Sequence, residues 1–361
     1  MHRTQLYDAH VAAGARMVDF VGWNMPINYG SQMDEHKAVR SDAGMFDVSH
    51  MTVVDIRGPQ ARDFLRYLLA NDVAKLAVPG KALYSCMLNE SGGVIDDLIA
   101  YYMEETWYRL VVNAATRDKG LAWLAKNGMA YSISLTEHFE LAMLAVQGPN
   151  ARDKVHALLP AEVVSDIAQM KPFSAVLCCG HFIARTGYTG EDGYEVLLPA
   201  EEARNFWDRL VDAGVRPCGL AARDTLRLEA GMHLYGQDMD EDVTPLESAL
   251  AWTVAMKDDR RFLGREALEQ QRENGVKRKL TGVVLEGRGV LRPGYRVVTA
   301  AGEGATTSGT FSPTLERAIA LARVPADASG ACEVEIRGKA YPARLVTPPF
   351  VRHGKVCEGI L

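Results

Sequence analysis

The stretch Val53-Val-Asp-Ile-Arg-Gly-Pro-Gln-Ala-Arg-Asp-Phe-Leu65 reads as a strand, a Gly-Pro break and a helix opening on Ala-Arg-Asp. Proline is tolerated in a first helical turn because the N–H it lacks has no intrahelical partner there. The same order returns in Leu144-Ala-Val-Gln-Gly-Pro-Asn-Ala-Arg-Asp-Lys-Val155. Each copy is followed by a glycine turn and an acid-bearing strand. After the first comes Gly92-Gly-Val-Ile-Asp-Asp97, and after the second Gly190-Glu-Asp-Gly-Tyr-Glu-Val-Leu-Leu198. One α+β unit used twice accounts for this order and predicts related positions for Asp97 and Glu195.

Asp96 and Asp97 stand between the apolar pairs Val94-Ile95 and Leu98-Ile99. Successive side chains of a strand point to opposite faces, so the two aspartates are expected in different environments. At least one then faces apolar neighbours or a cavity. An ionised, unpaired carboxylate buried there costs on the order of several kcal/mol. The plainer reading of the stretch by itself is an edge strand with both acids solvated, or an aspartate capping a turn.

Farther along, 201–214 reads as a helix closing at Gly214, with Phe206, Leu210 and Val211 on one stripe. A second helix over 220–230 stops at Gly231 and carries Arg223 and Arg227 on one face. The polar run 270–279, QQRENGVKRK, reads as a linker. The remainder breaks into short alternating strands with Gly, Pro, Thr and Ser turns, an all-β barrel or jelly roll.

A chain of 361 residues exceeds one ordinary core, so two or three domains are expected. With 48% hydrophobic and 24% charged residues it has the composition of a soluble globular protein. A net charge of -6 gives no reason to expect nucleic-acid binding. No apolar run approaches the roughly 20 residues that span a bilayer. The opening residues resemble neither a secretory nor a transit signal, so a cytoplasmic location is expected. The six cysteines form no CxxC and read as buried free thiols. The nine histidines offer no ligand spacing, and no metal is predicted. Neither a P-loop nor GxGxxG is present; Gly187, Gly190 and Gly193 mark a tight turn.

A series of motifs spread along nearly the whole chain carries a resemblance. It comprises LYDAHVAAGARMVDFVGWNMPINYG (6–30), EHKAVRSDAGMFDVSHM (35–51), LYSCMLNESGGVIDDLIAYY (83–102), RTGYTGEDGYE (185–195), GLAARDTLRLEAGMHLYGQD (219–238), TPLESALAWTV (244–254), TSGTFSPTLERAIALARV (307–324) and PPFVRHGK (348–355). Together they resemble the T-protein, or aminomethyltransferase, family of the glycine cleavage system. The resemblance implies a three-domain clover-leaf: two related α+β folate-binding domains, one discontinuous (1–50 with 140–270) and one over 51–139, and a C-terminal β-barrel domain over 280–361. It also implies transfer of an aminomethyl carbon from the dihydrolipoyl arm of a lipoylated H protein to tetrahydrofolate, with release of ammonia. Relatives with other activities are tetrahydrofolate-dependent demethylases and the folate domains of dimethylglycine or sarcosine oxidoreductases, but no flavin domain is attached here. A non-catalytic folate-binding protein is a third alternative.

Tetrahydrofolate presents a row of N–H donors along its aminopyrimidinone edge, which a carboxylate accepts in charge-assisted pairs. Glu195 matches the family's pterin-binding acid, and Tyr188 in the same turn suits a flat heterocycle. A surface hairpin glutamate and a strand-end tyrosine are the plain alternatives. Arg227 matches a family contact to folate, and guanidinium suits the tail carboxylates. Arg223 is assigned either a ligand or an ion pair with Asp224 or Glu229. Arg292 resembles a further family arginine, and Arg352 a weaker one. The resemblance places Asp97 near the reacting nitrogens, as proton acceptor or as stabiliser of an iminium-like cation, and Asp96 facing the other way. Tyr84, Asn113, Val111 and Met51 match folate-channel positions, although core packing serves Val111 and Met51 equally well. His50 reads as a hydrogen-bonded structural histidine, and Trp252 as packing on a ligand or on a domain interface.

Overall fold

Both Gly-Pro motifs join a strand to a helix in the computed structural model, which describes residues 1–361. Thr52–Arg57 leads into Ala61–Leu68, and Leu141–Gln147 into Ala151–His156. Each proline sits in the turn just ahead of its helix, closed by Ala61 N–H to the Gly58 carbonyl and Ala151 N–H to the Gly148 carbonyl, both 3.1 Å. Gly58 and Gly148 take φ of 142° and 137°. A Cβ on either would lie 2.3 Å from a carbonyl oxygen of a neighbouring segment, Ser132 or Asp42. Only glycine fits both demands.

The two motif strands belong to different sheets. The five-stranded sheet runs Ala82–Leu88, Val94–Glu104, Trp107–Val112, Thr52–Arg57, Ser134–Glu137. The six-stranded sheet runs Ala175–Cys178, His181–Ala184, Gly193–Pro199, Leu141–Gln147, Gly44–Asp47, Arg216–Pro217. In both, the third strand after the motif pairs with the motif strand, the second lies beyond it, and the first is at the edge. The duplication therefore extends to sheet order. It does not pair the two acids as the sequence reading had it. Glu195 lies on the third strand of its copy, Asp97 on the second of its own. Glu195 pairs with Ala145, three residues before Gly148, whereas the residue paired with Asp55, three before Gly58, is Arg109. Arg109 is the counterpart of Glu195. The glycine turns misled because they fall at different joints: Gly92-Gly93 precedes the second strand of one copy, and Gly190–Gly193 the third strand of the other.

The sheets pack face to face. Val53, Tyr101 and Val111 from one meet Phe46, Met143, Ala145, Phe182, Ala184 and Leu197 from the other in a single buried layer. Helices cover the outer faces. Phe64, Leu65, Leu68 and Leu124 lie over the five-stranded sheet, and Val155, Ile167, Phe206, Trp207 and Leu210 over the six-stranded one. The C-terminal strands close a barrel in the order Arg278–Leu285, Arg317–Pro325, Gly302–Ser312, Arg296–Thr299, Ala331–Ile336, Lys339–Val346 and back to the first. The chain is thus α+β, two α+β units and a barrel. No helix is long and apolar enough to cross a membrane.

The barrel docks on the helix Leu220–Glu229 through Leu228 against Leu280, Val284, Ile319 and Phe350. At this joint the buried Glu229 carboxylate meets Arg40 (2.8 Å), His36 (3.2 Å), Ser312 Oγ (2.5 Å) and Thr314 N–H (3.0 Å). Two expectations need correction. The division implied by the motifs puts 250–270 in the first unit, yet Leu250, Val254, Phe262 and Leu268 pack on Cys86, Leu88 and Val94 of the five-stranded sheet. The run 270–279 is no linker throughout: the helix Arg265–Glu273 carries through its first residues, anchored by Leu268, and the first barrel strand begins at Arg278. The helix was hidden because most of its side chains face water. Of the cysteines, Cys86, Cys218 and Cys332 are buried, Cys178 and Cys357 partly so, and Cys179 is exposed; all six are free thiols.

Candidate active site between the two sheets

Residues directly paired across an antiparallel ladder share a face. Cys86 pairs with Asp97, Tyr84 with Ile99 and Ile99 with Val111. Tyr84, Asp97 and Val111 therefore all point into the inter-sheet layer, and Asn113 follows just past the end of the Trp107–Val112 strand. Tyr84 donates its hydroxyl to Asp97 Oδ2 at 2.7 Å. Asn113 Nδ2 lies 2.8 Å from Asp97 Oδ1 and 2.8 Å from Asp96 Oδ1.

That second contact was not expected, since alternation sends neighbouring side chains apart. Alternation nevertheless holds: Asp96 pairs with Met87 on the helix-covered face, beside Gly120, and Asp97 pairs with Cys86 on the inward face. Asn113, just past the end of the neighbouring strand, reaches both carboxylates from there. Asp96 remains beneath the surface at 0% exposure, and its Oδ2 has no hydrogen-bond partner. Burial and the Asp97 charge push Asp96 up to about 7, with the Asn113 contact opposing. Burial also raises Asp97, against the hydrogen bonds from Tyr84 and Asn113 and the nearby His233. With its amide N–H groups aimed at two carboxylates, Asn113 turns its own oxygen elsewhere.

Glu195 lies on the opposing sheet with its carboxylate buried. Thr186 Oγ1 donates to it at 2.6 Å and lies 3.2 Å from the Tyr101 hydroxyl. Tyr101 shares the inward face of Asp97's strand and sets its ring edge-on to Phe182 at 5.0 Å. Polar contacts thus run from Glu195 through Thr186 to Tyr101, on the same inward strand face as Asp97. Tyr188 donates its hydroxyl to the His233 carbonyl. Burial pushes its phenol up, with Arg227 and Arg223 opposing and Asp97 adding, which puts the ring within electrostatic reach of all three charges.

The arginines divide in a way the sequence did not indicate. Arg227 is 2% exposed and spends its donors on the protein: Asp224 (2.8 Å), Asp238 (3.0 Å), the Met232 carbonyl (3.1 Å) and Ser308 Oγ (3.0 Å). Arg223 makes neither of the ion pairs considered for it. Asp224 goes to Arg227 and Glu229 to Arg40. The Arg223 guanidinium lies 4.8 Å from the centre of the Tyr188 ring, and its Nη1 is buried with no partner. Burial lowers its pKa, with Glu195 and Tyr188 opposing. A buried, unpaired guanidinium nitrogen is costly unless something else meets it. Arg292 is exposed on the barrel and Arg352 on the two-stranded ribbon that follows it, and neither joins this cluster.

His50 is buried, but its Nδ1 makes no hydrogen bond, contrary to expectation, and burial holds the ring's pKa down to about 4. Met51 packs half-buried against the inter-sheet core, and Val111 is part of it. Trp252, 66% exposed, stacks on Tyr84 with ring centres 5.7 Å apart. The site therefore offers a lone carboxylate on one wall, a free guanidinium nitrogen and a flat tyrosine beside it, and a second carboxylate held by Tyr84 and Asn113. That donor set fits a flat heterocycle with both N–H donors and a carbonyl acceptor.

The comparisons with known proteins agree along the chain's length. The GCVT N-terminal domain family matches residues 6–258, and the glycine cleavage T-protein C-terminal barrel domain matches residues 278–352. An aminomethyltransferase of Nitrosococcus oceani is 57% identical over 355 residues, covering 98% of this chain and 96% of that protein. One from Xylella fastidiosa is also 57% identical, over 363 residues and 99% of each. The crystal structure of the glycine cleavage system aminomethyltransferase T from Bartonella henselae superposes with a TM-score of 0.90 at 35% identity, over 97% of this chain and 98% of that one. The chain belongs to the glycine cleavage T-protein family.

Proposed function

We propose that the protein is the aminomethyltransferase of the glycine cleavage system, moving a methylene carbon from the aminomethyl-loaded dihydrolipoyl arm of a lipoylated H protein to tetrahydrofolate and releasing ammonia. The observation that carries this reading is the pair of acids facing one inter-sheet layer, Asp97 held by Tyr84 and Asn113, Glu195 reached through Thr186 and Tyr101.

In this reading Glu195 accepts the N–H donors of the pterin edge, and Arg223 gives its unpartnered Nη1 to an acceptor on the same ring. Tyr188 lies flat against it, with Arg227 a fixed cation behind Tyr188. Met51 and Val111 supply apolar wall, Asn113 turns its amide oxygen to the ligand, and Arg292, exposed on the barrel, is free for the tail carboxylates. Asp97 does the chemistry. Positive charge develops as ammonia departs and a folate nitrogen attacks the carbon. A fixed carboxylate stabilises that charge and accepts the nitrogen's proton. His50, held neutral by burial, adds no cation to oppose it. Cytoplasmic location and the division into 1–50 with 140–270, 51–139 and 280–361 belong to the same proposal, less the stretch 250–270 that packs on the five-stranded sheet.

The test is an assay of purified protein with aminomethyl-loaded H protein, with and without tetrahydrofolate. Ammonia and methylenetetrahydrofolate should appear together and require both substrates. Ammonia release indifferent to folate would sink the site assignment. Activity on a free methylated amine without any lipoyl partner would identify a demethylase instead, and tight folate binding with no transfer a binding protein.

A further inference from the structure

We propose that Asp96, which does not touch the substrate, is a positioning residue for the transfer: it carries the proton of the Asp96–Asn113–Asp97 cluster, so that Asp97 meets the substrate as a carboxylate. This rests on the reading of Asp97 given above and adds a residue that the reading leaves idle.

The geometry separates the two carboxyls. Asp97 is half-buried and receives two hydrogen bonds, one from Tyr84 at 2.7 Å and one from Asn113 at 2.8 Å. Asp96 is fully buried and receives one hydrogen bond from Asn113; Thr116 lies nearby, but its hydroxyl is spent on the Asn113 carbonyl at 3.2 Å, and the second Asp96 oxygen has no partner. Two carboxylates a hydrogen bond away from the same nitrogen repel each other strongly in a low-dielectric layer, so one of them retains a proton near neutrality. The better-solvated anion is the one that ionises. An oxygen anion with no donor costs more to bury than a neutral hydroxyl at the same place, which leaves the proton on Asp96.

The surroundings do not reverse this order. Asp96 shares its face with Met87 and lies beside Gly120 of the helix Arg117–Gly128; within electrostatic reach are Asp97, Cys86 and Tyr235, whose hydroxyl is tied to Lys119 Nζ at 2.7 Å with Glu241 behind it. No cation contacts Asp96 itself. Asp97 faces Tyr84 and Cys86 on the neighbouring strand, with Tyr188 and His233 across the layer; the hydrogen bonds from Tyr84 and Asn113 favour its anion, while burial lowers the pKa of His233 and leaves that ring uncharged near neutrality. Asn113 couples the pair, because the amide that orients Asp97 is held in turn by Asp96.

The test is infrared spectroscopy of the full-length protein across a pH titration, reading the carbonyl stretch of a protonated carboxyl. The wild type should show a buried acid band disappearing with a midpoint near about 7. Asp96→Asn should lose that band. Asp97→Asn should keep it but shift its midpoint upward or downward according to one sign only: downward, because removing the Asp97 charge removes the repulsion that held the proton on Asp96. A band that survives Asp96→Asn, or vanishes in Asp97→Asn, overturns the inference; if Asp96→Asn fails to fold, the Asp97→Asn spectrum decides alone. Kinetics give a second readout. Asp96→Asn, whose neutral amide still offers Asn113 an acceptor oxygen, should remove the break near neutrality from the kcat profile. Persistence of that break would also overturn the inference. Failure of the Asp97 reading looks different, since transfer would then survive Asp97→Asn whatever the spectra show.

Discussion

Arg109 and Glu195 occupy equivalent places in the two copies of one fold, and their neighbours treat them oppositely. Arg109 is closed off: it makes two hydrogen bonds to Asp55, at 2.8 and 3.0 Å, and His138 Nε2 lies 3.0 Å from the same carboxylate. Glu195 receives one neutral hydroxyl and faces an arginine whose Nη1 is unpaired. A buried ion pair with its lone pairs filled is structure, whereas buried groups left partly unsatisfied have capacity for a ligand. Duplication supplied two inward faces. Pairing converted one into scaffold and its absence left the other as a site.

The sharpest way to break that contrast is at the reacting end. Asp97→Asn keeps the shape and removes the charge, so single-turnover transfer should fall about 10²- to 10⁴-fold while folate affinity changes little. Unchanged turnover would put Asp97 on the scaffold side. Next comes Arg109→Met, which strands Asp55 in the core. It should lower unfolding free energy by about 3–5 kcal/mol in urea titrations, with the transfer rate of the folded fraction preserved. A large loss of folate affinity from that change would mean that both faces are functional.

Glu229 is a second test of the paired class. Burial alone would raise its pKa, but His36, Arg40 and Ser312 override burial and hold it down to about 2. A depressed carboxyl contributes stability above its unfolded pKa, and that stability drains away as pH falls through the folded value. Barrel docking should therefore weaken by on the order of 3 kcal/mol between about pH 4.5 and pH 2, read as a fall in urea midpoint that Glu229→Gln abolishes. The smallest effect belongs to the unpaired class. Glu195→Gln should reduce folate affinity by roughly 1.5–3 kcal/mol, measured by calorimetry, with stability unchanged or slightly raised. A clear loss of stability instead would make Glu195 a structural acid like Asp55.

Much of the site was legible because it sits on regular strands. Tyr84, Asp97 and Val111 share a face by simple ladder pairing, and Glu195 follows its glycine turn directly. What could not be read was who satisfies whom. Arg227 looked free for a ligand, but Asp238 and Ser308 reach it from the following loop and from the barrel. Arg223 read equally as a ligand contact or as the partner of Asp224 or Glu229, and both acids go to other arginines. Asp96 looked independent of Asp97 because alternation separates neighbours, and Asn113, beyond the end of the next strand, bridges that separation.

By itself the amino-acid sequence determined the local elements, the two Gly-Pro units, the barrel and the family, because apolar periodicity, turn chemistry and motif order act over short stretches. Tertiary structure decided which strand of each copy carries an acid, which arginine is left open, and that one asparagine joins two carboxylates. Those outcomes depend on distances between groups far apart along the chain, and the free energy of a buried charge is set by the partners that packing brings to it.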